Sequence, residues 1–365
     1  MKALIGPAVL LGLMFLVVDS FAAPTIPATT RKVVLEKTDS AYRWKVIEAP
    51  VPEVGDTQVL VHVRAVALNR GDWELLEEKD DYTGRVPVSD AAGDAVVVGK
   101  AVKGIRVGQR VTSTYFRNWA DGPPDREKMS GSHGYEVDGV MADYVLLEDA
   151  AVVPVAAGLS YEEAATLPTA GLTAWSATVG HHDLRPGSVV LVQGTGGVSI
   201  FALQFAASAG ARVIVTSSSD EKLRRAQELG AQEGINYKTT PDWSARVLEL
   251  TSGHGADLVV DVGGKDTLAQ SVKSVAYLGT VAIVGGLTGY GGNIPAAGLL
   301  NKTARAQGVF VGSRADFLRM NAYITRHKLH PVIDRVFPFE QYQDALAYLK
   351  SGNFVGKVVL RLQLD

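Results

Sequence analysis

Hydrophobic positions change their period partway along this chain. Residues 33–36, 58–67 and 93–98 are rich in Val and alternate apolar with polar positions, as half-buried strands do. Val107-Gly-Gln-Arg-Val111 and residues 142–147 read the same way, with Gly55-Asp56, Gly104 and Gly108 supplying turns. A polar loop, 114–139, contains Asp121-Gly-Pro-Pro124, Gly131 and Gly134. This half predicts a compact, mostly β unit. A helix is expected from Tyr161, behind a Ser160/Glu163 capping-box spacing. Strands at 188–193, 212–216, 257–261 and 280–284 then alternate with helices at 198–209, 220–229, 242–251 and 267–276. That alternation predicts βαβ units and a parallel sheet. Val189-Val-Leu-Val192 and Leu258-Val-Val260 are apolar throughout, as strands covered on both faces are. A helix after residues 307–312 and the segment 336–362 complete the chain, with no internal repeat.

Composition narrows the chemistry by exclusion. The 365 residues are 47% hydrophobic, enough for a sizeable core and about two domains. A formal charge of -3 and a pI near 6.2 leave no basic footprint for nucleic acid. There are no cysteines, which excludes disulfides, thiolate nucleophiles and every Cys-based zinc site. The N-terminus reads as a secretory signal: Lys2, an uncharged apolar run 3–18, then Ser20-Phe21-Ala22 as a cleavage site. Processing there implies a secreted or periplasmic protein; without it the chain is expected to be cytoplasmic. No stretch predicts a stable membrane span.

The sharpest local motif is Val190-Leu-Val-Gln-Gly-Thr-Gly-Gly-Val-Ser199, between a predicted strand and a predicted helix. Gly194 permits the tight turn, Gly196 lets backbone approach a pyrophosphate, and Gly197 and Val198 open a helix whose N-terminus favours phosphate charge. Thr195 belongs to the same loop. Ser199 stands where a third glycine is usual, and is small enough for close packing. A dinucleotide site is therefore expected. After the next strand, Ser217-Ser218-Ser219, with Lys222 and Tyr237 nearby, suits a ribose 2′-phosphate better than a 2′-hydroxyl, so NADP is expected in preference to NAD. Asp220 reads equally as an N-cap or first-turn acid.

Together with Ala67-Leu-Asn-Arg-Gly-Asp72, Pro87-Val-Ser-Asp-Ala-Ala-Gly93, Val107-Gly-Gln-Arg-Val111, Leu167-Pro-Thr-Ala-Gly-Leu-Thr-Ala-Trp175 and Gly356-Lys-Val-Val359, the loop resembles the medium-chain dehydrogenase/reductase family. The likeness is to its quinone-oxidoreductase-like and zinc-free alcohol-dehydrogenase-like members. It spans residues 31–362. It implies an α/β architecture: a GroES-like, mostly-β catalytic domain in two segments (31–170 and 314–365), around a Rossmann doubly wound parallel-sheet nucleotide domain (171–313). A homodimer is implied as well.

The family's catalytic-zinc positions match Asn69, Asp90, Ala91 and Thr169, a poor donor set for zinc, so no metal is expected. Without a Lewis acid, a carbonyl or enone must be polarised by hydrogen-bond donors or water. Asn69, Asp72, Tyr82, Asp90 and Thr169 are the catalytic candidates, with Tyr82 a possible proton donor and Arg70 a possible partner for Asp90. The resemblance places Gly263, Gly285, Leu287, Gly312, Ser313 and Lys357 around the cofactor; the polar loop 114–139, with Trp119 and Tyr135, is expected to shape the substrate mouth. The expected activity is NAD(P)H-dependent hydride transfer to a small-molecule electrophile: a quinone, enone or aldehyde. A zinc-free alcohol dehydrogenase and a non-catalytic nucleotide-binding sensor or structural protein are the competing readings.

Overall fold

The computed structural model describes residues 26–362, so the signal-like segment 1–22 lies outside the described residues. The chain opens with an antiparallel hairpin, β1 (Thr29–Lys37) and β2 (Tyr42–Pro50). Sequence patterning overlooks β2 because its Arg43, Lys45 and Glu48 are exposed and break the apolar run. The first sheet follows: β3 (Gln58–Leu68), β4 (Asp90–Val98), β5 (Arg110–Ser113), β6 (Tyr144–Glu148) and β7 (Val152–Pro154), all paired antiparallel. Central β3 contacts β4 and β6 on its two sides, which accounts for its nearly continuous apolar run. Helix α1 (Arg70–Glu74) leaves the end of β3.

Helix α2 (Tyr161–Ala165) starts at the expected capping box: Glu163 N donates to Ser160 Oγ at 3.1 Å and Ser160 N to Glu163 Oε2 at 2.8 Å. A π-helical turn, Leu167–Gly171, then leads into α3 (Leu172–Ala177). Such turns are uncommon and gather at functional sites; this one carries Thr169.

The second sheet is parallel and built as β8 (Val189–Gln193), α4 (Gly197–Ser208), β9 (Arg212–Ser217), α5 (Asp220–Glu228), β10 (Glu233–Asn236), α6 (Trp243–Leu250), β11 (Ala256–Asp261), α7 (Leu268–Ser274), β12 (Val275–Ile283), α8 (Ala296–Lys302) and β13 (Arg305–Gly308). Its spatial order, β10-β9-β8-β11-β12-β13, is the Rossmann order, reversing direction between β8 and β11. All of β8 is buried, as its composition predicts. Edge strand β10, with Ile235 as its one apolar residue, gave no sequence signal. The helix expected over 267–276 ends at Ser274, where β-branched Val275 begins a strand longer than predicted.

After α9 (Arg314–His327) the chain returns to the first sheet through β14 (Ile333–Pro338), α10 (Tyr342–Ser351) and β15 (Lys357–Arg361). Strand β15 pairs antiparallel with β3, Val358 opposite Leu68, and this register brings Lys357 beside the start of α1. One hydrophobic cluster joins the two units: Ala65, Ala67, Phe116 and Val359 pack with Val190, Val192, Ile200 and Phe201. A shared apolar core fixes the two sheets relative to each other. No helix among the described residues is long and apolar enough to cross a membrane.

Candidate active site

The glycine loop leaves β8 at the topological switch point, where open parallel sheets bind ligands. Gly194 has φ +74°, a value that favours glycine. Gly196 is the N-cap of α4; no side chain caps that helix, so its first amides are unclaimed. A Cβ on Gly196 would meet nothing within 4 Å, so the helix end faces open space. An uncapped helix N-terminus approached by bare backbone is what a pyrophosphate needs, and these residues fit a dinucleotide. Ser199 turns inward and donates to Gln193 O at 2.7 Å, so the hydroxyl in place of the third glycine is satisfied by the strand it packs on.

Across the loop lies the polar floor. Gly196 bridges Gly356, and Gly356 N donates to Thr195 O at 3.0 Å. The next residue, Lys357, runs beneath the loop: a Cβ on Gly197 would lie 2.6 Å from Lys357 Cδ. Lys357 is 3% exposed, and its Nζ donates to Leu68 O at 2.7 Å and Asn69 Oδ1 at 2.6 Å. Burial lowers its ammonium pKa, while Asp90 and Asp72 pull it back up. Asn69 Nδ2 is buried without a partner.

Asp90, at the start of β4, is fully buried. Its Oδ1 accepts from Ser89 Oγ (2.6 Å) and Thr169 Oγ1 (2.5 Å), and its Oδ2 from Thr169 N (3.2 Å). Ser89 Oγ and Thr169 Oγ1 are also 3.1 Å apart. Asp72, 1% exposed, accepts from Asn69 N at 2.6 Å. Burial pushes its carboxyl up to about 7; the Asn69 hydrogen bond and Lys357 oppose this, and Asp90 adds to it. Just before this pair, Val88 is held at φ +70°, strained for a β-branched residue. The donor set is unsuited to zinc. One carboxylate, a hydroxyl and an amide stand at the matched positions, the carboxylate is saturated by hydrogen bonds, and the amide oxygen already holds an ammonium.

Aromatic rings wall the floor. Tyr115 stacks edge-on with Phe116 (4.8 Å between centroids) and Phe310 (5.9 Å), and lies 6.1 Å from Tyr135. Burial raises the Tyr115 phenol far above its ordinary value, and Asp72 and Asp90 add to the effect. Beyond Phe310 opens a cavity of about 690 Å³, lined by Trp119, Met129, Gly285, Val311, Asp316 and Arg319 among others. Asn69, Asp90 and Thr169 are not among the residues that line it.

Asn69, Asp72, Asp90, Thr169 and Lys357 thus converge with Gly194, Thr195, Gly196, Gly197 and Val198. Gly263, Gly285 and Leu287 gather after β11 and β12: Gly263 N donates to Asp261 Oδ1 (3.0 Å) and Leu287 N to Val262 O (3.1 Å). Asp261, which sequence reasoning overlooked, also accepts from Gln193, Thr267 and Ser271, and so holds this turn against β8. Its signal is an acid closing the apolar run Leu258-Val-Val260.

Several residues sit differently from expectation. Tyr82 stands with Tyr42, 6.3 Å between ring centroids, and its phenol is raised by burial and by Asp80 and Glu78 rather than by the site carboxylates. Arg70 pairs with Glu74 at 2.5 Å, leaving Asp90 to the hydroxyls. Lys222 Nζ donates to Gly352 O at 2.5 Å; Ser219 caps α5 and Asp220 is its first-turn acid, one of the two roles expected of it. Ser217 is buried, Ser218 is half-buried and Tyr237 is exposed at the same edge. Gly312 packs against Ser176 Oγ, and Ser313 is occupied as the cap of α9, bonded both ways to Asp316.

Comparison with known proteins agrees with this geometry. Residues 55–157 match the alcohol dehydrogenase GroES-like domain, and residues 197–326 the zinc-binding dehydrogenase domain. A zinc-type alcohol dehydrogenase-like protein of Schizosaccharomyces pombe is 41% identical over 91% of this chain and 99% of its own. An NADPH-dependent alkenal/one oxidoreductase of Arabidopsis thaliana is 30% identical over 85% of this chain and 73% of its own. The solved structure of an NAD-dependent alcohol dehydrogenase superposes with TM-score 0.82 at 34% identity, covering 91% of this chain and all of its own.

Proposed function

The chain belongs to the medium-chain dehydrogenase/reductase family, an NAD(P)-dependent oxidoreductase fold, and from that premise we propose a zinc-free reductase of carbonyl, enone or quinone electrophiles that prefers NADPH. The observation carrying this reading is the Ser89–Asp90–Thr169 network, which stands where a metal site would be and lies across the Gly196–Gly356 bridge from the glycine loop.

Bound reduced nicotinamide would supply the hydride. The uncapped start of α4 binds phosphate charge, while Asp261 holds the Gly263 turn in place. Thr169 gives its proton to Asp90, which leaves its oxygen lone pairs facing the cleft. Ser89 Oγ bonds the same carboxylate and holds it in place. Hydride transfer is reversible, which keeps alcohol oxidation as the second reading. Asn69 Nδ2, buried and unpartnered, is a further donor for a carbonyl oxygen.

The hydroxyls of Ser217 and Ser218 favour NADPH; Lys222 contributes to that preference when it releases the Gly352 carbonyl. The fully exposed edge Arg305–Gly308, with Leu300 and Phe310 uncovered nearby, supports a homodimer through β13. Titration of residues 23–365 with NADPH and NADH by Trp fluorescence tests the reading. Tight NADPH binding with turnover of an electrophile panel supports it. Binding without turnover favours a sensor, and binding of neither nucleotide by folded protein sinks the dehydrogenase assignment.

A further inference from the structure

Gly71, the second residue of α1, is glycine for a reason its backbone does not require: its φ is not positive. The space its side chain would occupy is already filled. A Cβ built there would lie 1.8 Å from the Tyr135 hydroxyl oxygen and 2.9 Å from Cζ. The Tyr135 hydroxyl therefore reaches from the 114–139 loop into the space that an α1 side chain at position 71 would take. Its phenol is held protonated: burial raises its pKa well above the ordinary value, and Asp72, Tyr115 and Asp90 raise it further. Tyr115, 6.1 Å away, walls the same space and feels both aspartates. Tyr82, the tyrosine that the sequence puts forward as donor, stands with Tyr42 instead.

We propose that Tyr135 is the proton donor to the substrate's carbonyl oxygen, and that the site is therefore built for aldehydes and ketones more than for quinones. The proposal rests on the reductase reading above and deepens it. As the carbonyl carbon accepts hydride from the reduced nicotinamide nucleotide, the C=O π pair moves onto oxygen. The Tyr135 O–H bond breaks and its proton joins that oxygen, leaving tyrosinate, which water reprotonates. A saturated alkoxide is far more basic than a phenolate, so even a phenol of raised pKa gives up its proton to it. A quinone reduced by hydride leaves a phenolate-like oxygen, which has little need of such a donor. The flanking rings of Tyr115, Phe116 and Phe310 suit an aryl or other flat substituent on that carbonyl.

The test uses Tyr135→Phe, which keeps the ring and removes the hydroxyl, and Gly71→Ala, whose methyl displaces that hydroxyl while leaving it in the chain. In the NADPH-loaded protein the carbonyl stretch of bound ¹³C-labelled benzamide, an unreactive carbonyl, is read by difference infrared. The wild type is expected to shift the band to lower wavenumber, and both variants to lose much of that shift. Single-turnover reduction of benzaldehyde should fall about 10²-fold or more in both. Naphthoquinone reduction and NADPH affinity should change little. An unchanged amide band with an unchanged benzaldehyde rate in Tyr135→Phe overturns the assignment and leaves the reductase reading standing. Equal loss on aldehyde and quinone overturns the substrate preference. A wild type that binds NADPH and the amide yet reduces no electrophile overturns the reductase reading itself, and this proposal with it.

Discussion

The glycine loop and the polar floor touch through one bridge, Gly196 beside Gly356, yet they are assembled in opposite ways. The loop is a contiguous stretch whose conformation follows from local chemistry: a left-handed Gly194, an uncapped helix and a strand that delivers both. The floor draws Asn69, Asp90, Tyr135, Thr169 and Lys357 from segments far apart in sequence, and the fold alone brings them together. The loop faces open space, while the floor is buried and closed by its own hydrogen bonds. Binding and chemistry are thus separable here, and substitutions should split them.

The strongest break is at Lys357. Lys357→Met removes two buried hydrogen bonds and the positive charge that offsets Asp72 and Asp90. It should destabilise the fold by about 3 kcal/mol, read by urea denaturation, in line with losing one partner of a buried charge group. Next comes Asp90→Asn, which keeps one oxygen for the Ser89 and Thr169 hydroxyls but removes the charge and sets an NH2 donor against the Thr169 amide N–H. Turnover should drop about 10²-fold, with NADPH affinity held, as expected when a positioned polar network beside the reacting atoms is lost.

The reciprocal change is Gly196→Ala. Its methyl meets no protein atom within 4 Å, so Tm should stay put while NADPH binding weakens about tenfold, roughly 1.4 kcal/mol, if that space receives the pyrophosphate. A further check is a pH slope. The Asp72 carboxyl is raised to about 7 in the folded chain against an ordinary value of 3.8, so the native state holds the extra proton between those values. Stability should decline as pH rises from about 4 to about 7, and Asp72→Asn should flatten that part of the profile. A slope of opposite sign would mean that Lys357 governs the carboxylate more than burial does.

The same contrast explains what could be read in advance. Parallel βαβ units, the glycine loop and the capping box at Ser160 are local patterns, and each appears where the periodicity puts it. Edge strands β2 and β10 escaped because their exposed faces are polar, and the end of α7 was misjudged because Val275 fits a helical stripe as well as a strand. At the site, motif matching names Asn69, Asp90 and Thr169 but cannot see which donors Asp90 finds. Arg70 turned to Glu74, and Ser89 took the role through a residue at φ +70°. Tyr135 was legible only as a loop aromatic. Its hydroxyl gains meaning from a missing Cβ on Gly71, which is tertiary information.

The central claim is hydride transfer from a dinucleotide over a floor of hydrogen-bonded side chains instead of a metal. It is tested most directly by single-turnover reduction of an aromatic aldehyde with NADPH deuterated at C4, in chelator-dialysed protein and again after zinc is added. The account predicts a primary isotope effect and a rate indifferent to zinc. A rate that collapses on chelation and returns with zinc would contradict it.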